Sequence, residues 1–197
     1  MKRFLKLLMG TTLSSFAIAM VINCNLGAFP ITACNLAISN WLNIPLGLAG
    51  FLTELIMLSY ATAKGEGLGW TAIANATYGS FMIDIFHRMI PYNTLFVFGV
   101  LLLPIAWAIM GSAGWGETGS NVLMRALVKS TKKSLGFIRG CEEVVTLIIG
   151  FMGARNYVTW FSIVLSLGMG PLLQFVYKLI GYNPITIKQE YIIKIKK

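Results

Sequence analysis

Apolar runs of membrane length recur from one end of this chain to the other, and no other feature constrains its fold as much. Runs of roughly 17 to 22 residues match a hydrocarbon core about 30 Å thick. In lipid the backbone must satisfy its own hydrogen bonds, which leaves helices for a chain with this pattern. Charged residues make up 12% of the 197, and the mean hydropathy is +0.73. A soluble domain carries about twice that charge fraction. The expectation is an all-α polytopic membrane protein.

The runs are read in order. Lys2, Arg3 and Lys6 precede an apolar stretch from Leu7 to Cys24. Ala17-Ile18-Ala19 imitates a signal-peptide cleavage site, but the run continues through Met20, Val21 and Ile22, so it is read as a first span. Asn25 to Pro30 breaks it. Ile31 to Asn43 is too short to span and contains Asn35, Ser39 and Asn40, which suits a half-helix, re-entrant or interfacial. Leu46 to Ala63 is a second span holding Glu54, and Gly69 to Phe86 a third, rich in small residues, with Asp84 near its far end before His87 and Arg88. Asn93 to Ala113 is a fourth, kinked at Pro104. Gly119 to Lys133 is basic and amphipathic. Ser134 to Ala154 is the fifth span, and Tyr157 to Tyr177 the sixth, with Gly168-Met169-Gly170-Pro171 unsettling its middle. The tail from Lys178 is polar and basic, and Tyr191 to Ile195 alternates weakly and is read as loose.

Six spans give an orientation that charge can test. The side of the N-terminus holds thirteen Lys and Arg residues, and the opposite side only Arg88 and Arg155. That bias places both termini in the cytoplasm. The net charge of +9 is therefore read as topology signal and anionic-lipid contact. The basic residues lack aromatic interleaving and any nucleic-acid motif, so no nucleic-acid partner is expected. Cys24, Cys34 and Cys141 have no metal-type spacing and His87 is the single histidine, so neither a metal site nor a cofactor is expected. No nucleophile–base set is present, and the chain is not read as an enzyme.

Sliding the chain by 89 residues puts Gly27 on Gly116, Gly47 on Gly136, Glu54 on Glu143 and Gly79 on Gly168. The order of elements matches as well. The expected organisation is a first membrane repeat at 1–90, a second at 91–180 and a basic cytoplasmic tail at 181–197. Three spans per copy make the second copy inverted, a plan that in transporters places the site between repeats, near short or broken helices.

Within the fifth span, Arg139 lies at i, i+3 to Glu142 and at i, i+4 to Glu143, so both acids can reach its guanidinium. Ionisable groups at membrane depth are costly and mark either a structural ion cluster or a working site. Glu54 has no basic neighbour at helical spacing and is the best single functional carboxylate. Asp84 is read first as a partner for His87 or Arg88. Asn25, Asn75 and Asn121 offer neutral coordination, or helix caps in the case of Asn25 and Asn121. The candidate substrate or ion-binding set is Glu54, Arg139, Glu142, Glu143, Asp84, Asn25 and Asn121.

Asn25-Leu26-Gly27-Ala28 with Pro30, Gly114-Trp115-Gly116 followed by Leu123-Met124, and Ser134-Leu135-Gly136 with Arg139 and Glu143 form a succession over residues 20 to 175. It resembles the YczE/YyaS/YitT-type bacterial integral membrane proteins. Where that family usually has Gly-Pro-Arg-Asp, this chain reads Thr118-Gly119-Ser120-Asn121. The resemblance implies a multi-pass protein of the bacterial cytoplasmic membrane and implies no substrate. The functional expectation is a small transporter or carrier with a midplane site between inverted repeats. The alternative is a non-transporting accessory protein acting through the basic loop and tail. The bilayer and a small-molecule or ion substrate are the expected partners, with room for a homodimer.

Overall fold

The computed structural model describes residues 1–92, 94–181 and 189–192. Among these residues, apart from a bridge at Leu68, the regular structure is helical. Helix α1 spans Lys2–Asn23, α2 Pro30–Leu42 and α3 Leu46–Ala63. Next, α4 (Trp70–Ala74), a π turn (Asn75–Gly79) and α5 (Ser80–Met89) follow one another without a break. Helices α6 (Phe96–Gly111), α7 (Gly119–Thr131), α8 (Leu135–Gly153) and α9 (Trp160–Ile180) complete the order.

Local chemistry accounts for the boundaries. Pro30 sits at the start of α2, where its missing N–H costs nothing. Ser134 caps α8 by accepting from the Phe137 N–H, and Thr159 with Ser162 forms a capping box on α9. The π turn widens the helix and loosens its own hydrogen bonding. The Ser15 hydroxyl from α1 donates to the Gly79 carbonyl at 2.9 Å, satisfying the turn from outside.

Small residues let the helices approach closely. A Cβ at Gly10 of α1 would fall 2.6 Å from the Met110 nitrogen of α6, and one at Gly99 of α6 would fall 2.9 Å from Val21 of α1. The start of each helix thus meets the end of the other, and the two run antiparallel. Helix α2 packs on α8, where Gly150 lies against Ala33 and Gly153 against Ala37 and Trp41. Helix α3 packs on α7 around Leu58, Ala61, Val122 and Ala126.

The 89-residue shift recurs in the backbone. It carries both ends of α2 onto both ends of α7, and the start of α3 onto the start of α8. Asn43 and Lys132, the left-handed residues that end α2 and α7, coincide under it, as do the positive-φ glycines Gly27 and Gly116. It also carries the contact of Gly10 with Met110 onto that of Gly99 with Val21.

Polarity is distributed for a lipid solvent. Thr11, Ser14, Ser15 and Ser162 are buried, while Ile56, Val97, Met152, Leu167 and Leu179 face outward. Among the described residues three helices are long and apolar enough to cross a membrane: Lys2–Asn23, Leu46–Ala63 and Trp160–Ile180. Helix α6 is apolar but shorter, and α8 has 19 residues but carries Arg139, Glu142 and Glu143. The protein is a membrane-embedded helical protein.

Two expectations change. Helix α9 runs unbroken through Gly168 to Pro171, because its neighbours leave Gly168 and Gly170 in open space and nothing forces a break there. Tyr191 is held, not loose. The Glu190 N–H donates to the Gly114 carbonyl at 2.8 Å, and the Ile192 N–H to the Leu68 carbonyl at 2.7 Å. The loops before α4 and α7 present free carbonyls that an extended segment can pair with. Residues 193–195 lie outside the described residues, as does Asn93, the expected start of the fourth span.

Candidate functional site

All nine α-helices described, α1 to α9, and the π turn contribute residues to the wall of a cavity of about 340 Å³. It brings together Glu54, Arg139, Glu142, Glu143 and Asn121. Asn25 and Asp84 do not line it.

Arg139 is shared unequally. Its Nε donates to Glu143 Oε1 at 2.8 Å, whereas Glu142 Oε2 stands 3.8 Å from Nη1. Glu143 is buried, and its second oxygen accepts from the Ser166 hydroxyl of α9. That leaves Glu143 paired, hydrogen-bonded and without a free oxygen. Glu142 Oε1 accepts from the Ser120 hydroxyl at 2.6 Å, in the first turn of α7, while Oε2 has no hydrogen-bond partner among the described residues.

Among the described residues neither an arginine nor a lysine pairs with Glu54. Its Oε1 accepts from Asn75 Nδ2 at 2.9 Å, and Asn75 opens the π turn. Its Oε2 lies against Gly119 at the first position of α7, so closely that a side chain at 119 would overlap it. A carboxylate over the positive end of a helix is favourably placed. Glu54 and Glu143 therefore hold matching positions: each reaches from α3 or α8 to the helix that follows, to Asn75 in one case and Ser166 in the other.

The remaining candidates have local work. Asn25 adopts a left-handed conformation after α1, φ 53°, with its N–H donating to the Ile22 carbonyl at 3.0 Å, as a helix-ending residue does. Asp84 Oδ1 accepts from the Gly47 N–H at 2.8 Å in the first turn of α3. Among the described residues it makes no ion pair with His87 or Arg88.

The basic face of α7 is partly consumed within the molecule. Lys129 Nζ lies 2.5 Å from the buried Glu66, and Arg125 Nε lies 3.7 Å from Glu66 and 3.6 Å from Glu117. Arg125 also donates to the Tyr191 hydroxyl at 2.7 Å. Burial opposes the guanidinium charge of Arg125, but the Tyr191 bond and the two carboxylates outweigh it and its pKa is raised. Next to this cluster, Gln189 lines the cavity and its Oε1 accepts from the Gly116 N–H at 2.9 Å.

Residue reasoning missed Thr71, Ser120, Ser166 and Gln189, all of which line the cavity or hold a carboxylate in it. For Ser166 a signal exists: with Ser162 it makes an i, i+4 polar pair on a largely apolar span. Thr71 and Ser120 carry none, since a hydroxyl near a helix start is ordinary.

The family of unknown function DUF6198 matches residues 1–178, nearly the whole chain. The chain belongs to this family. The DUF6198 match covers all the helices that wall the cavity, apart from the last turn of α9. It is this family, and not specifically the YczE/YyaS/YitT type, that the chain matches; a general membrane-protein class is what they have in common. No curated protein and no solved structure is detectably similar to the chain.

Proposed function

We propose that this DUF6198 member is a small membrane carrier of bacterial cytoplasmic-membrane type. It would have six spans in two inverted repeats, both termini in the cytoplasm, and a site between the repeats at Glu54, Arg139, Glu142 and Glu143. One observation carries the reading. Glu54 and Glu143, related by the 89-residue shift, line a single cavity and are each held by the following helix. The repeat itself is supported by the coincident ends of α2 and α7 and by the reciprocal contacts of Gly10 with Met110 and Gly99 with Val21. Reciprocal contacts of this kind between antiparallel helices are what a two-fold axis in the membrane plane generates. Half-helices of 13 residues opening onto the cavity, at Pro30 and Gly119, suit such a carrier.

The accessory reading loses ground, because Arg125 and Lys129 are already engaged by Glu66 and Glu117. Within the loop, Lys132 and Lys133 remain as clean probes of it. In proteoliposomes, flux across a panel of ions, amines, amino acids and organic acids should appear for the native chain and vanish for Glu54→Gln and Glu143→Gln. If no solute moves, and Lys132→Ala with Lys133→Ala changes co-purification with another membrane complex, the accessory reading replaces this one.

A further inference from the structure

The cavity carries more acceptors than it can satisfy. Asn35 Oδ1, Glu54 Oε2, Thr71 Oγ1 and Glu142 Oε2 all belong to residues lining it, all are buried, and none has a hydrogen-bond partner among the described residues. Thr71 is 1% exposed, and the side chain of Glu142 is 10% exposed. Buried polar atoms in folded proteins are nearly always paired, so several orphans around one space mark where something else supplies the partners. Three of the four can only accept, and the fourth is a hydroxyl that does either. The missing partner is therefore a donor.

Charge gives the same answer. Four carboxylates line the cavity with Arg139: Glu117 is paired with Arg125 outside it, Arg139 donates to Glu143, and Glu142 is left only the longer 3.8 Å approach to the same guanidinium. The partial positive charge of the α7 start lies beneath Glu54, about half an elementary charge against a full one. Negative charge remains, centred on Glu142 and Glu54. Among the described residues no three His, Cys, Asp or Glu side chains gather around one point, so the donor set is poor for a bare metal ion. Leu103, Trp107 and Leu165 supply an apolar wall, and Trp107 offers an aromatic face. The volume suits a small organic molecule.

We infer that the cavity is a binding site for a small organic cation bearing N–H donors, of the primary-amine or guanidine class. Its head group meets Glu142, Glu54 and Asn35, and its carbon body lies along Trp107 and Leu103. The inference rests on reading the cavity as the carrier's site, but binding is separable from flux.

The test is isothermal titration calorimetry on the detergent-purified full chain. The probes are agmatine, n-butylammonium, choline, sodium and glutarate. Agmatine or n-butylammonium should bind. Choline, with equal charge and no N–H, should bind at least about tenfold more weakly, since it leaves the acceptors unpaired. Glu142→Gln and the near-isosteric Thr71→Val should each weaken amine binding by roughly threefold or more while the variants keep the native melting temperature, so that lost folding does not mimic lost binding. No binding by either amine, equal binding by choline, or tighter binding by sodium or glutarate overturns the inference. Amine binding without flux in liposomes supports the site and contradicts the carrier. Flux of an anion or metal ion without amine binding does the reverse.

Discussion

Glu54, Glu142 and Glu143 are the same kind of side chain in three situations. Glu143 has Arg139 on its own helix and Ser166 on α9, and a shift of α8 against α9 costs it the second. Removing Arg139 leaves a buried carboxylate unpaired, which costs about 3–5 kcal/mol where burial is complete. Arg139 is 34% exposed at its side chain, so the lower part of that range applies. Arg139→Ala should therefore lower thermal stability in detergent well beyond Glu142→Gln, which keeps the Ser120 bond. Gly119 gives a second residue-scale expectation. A methyl group there overlaps Glu54 Oε2, so Gly119→Ala should destabilise by about 1–3 kcal/mol. Glu54→Ala removes the overlap, and the double variant should fall short of the sum of the singles; additive losses would mean that the two groups do not meet.

At the scale of elements, the closest approaches are built on glycine. Gly10→Leu and Gly99→Leu should each destabilise by about 1–3 kcal/mol, and by similar amounts, because they wedge the same pair of helices at reciprocal positions. Gly168→Leu, which meets nothing within 4 Å, should change stability by no more than about 0.5 kcal/mol. Melting curves of the three variants decide this. These elements were largely legible in the sequence, because lipid forces periodic apolar length and glycine or proline breaks onto the chain. Leu46–Ala63 comes out at its observed ends, and α7 and α8 within one or two residues. The π turn was not legible: it arises where Asn75 reaches Glu54 and Ser15 meets Gly79, contacts that no local pattern announces. Asp84 misled for a related reason. Its neighbours in sequence are cations, but its neighbour in space is the open first turn of α3. The anchoring of Tyr191 depends on Arg125, 66 residues away, and on carbonyls freed by loops.

The whole molecule turns on the relation between its halves. Matching helix ends, matching left-handed residues and reciprocal contacts are economical to explain if one unit occurs twice in opposite orientations. Two half-helices then open onto one space from opposite sides, and the glutamates of α3 and α8 arrive there together. Part of the cavity lining was visible in sequence, through the 89-residue shift and the charges within apolar runs. Its orphan acceptors were not, since they are a property of what surrounds each atom. Asn43 and Lys132, exposed and equivalent under the shift, offer the most direct measurement. Single cysteines at these positions, with Cys24, Cys34 and Cys141 replaced by Ala, are exposed to a membrane-impermeant maleimide in intact cells and again after permeabilisation. Inverted repeats with cytoplasmic termini predict that Asn43→Cys labels in intact cells and Lys132→Cys only after permeabilisation. Labelling of both from the same side would contradict the inverted arrangement and, with it, the site between the repeats.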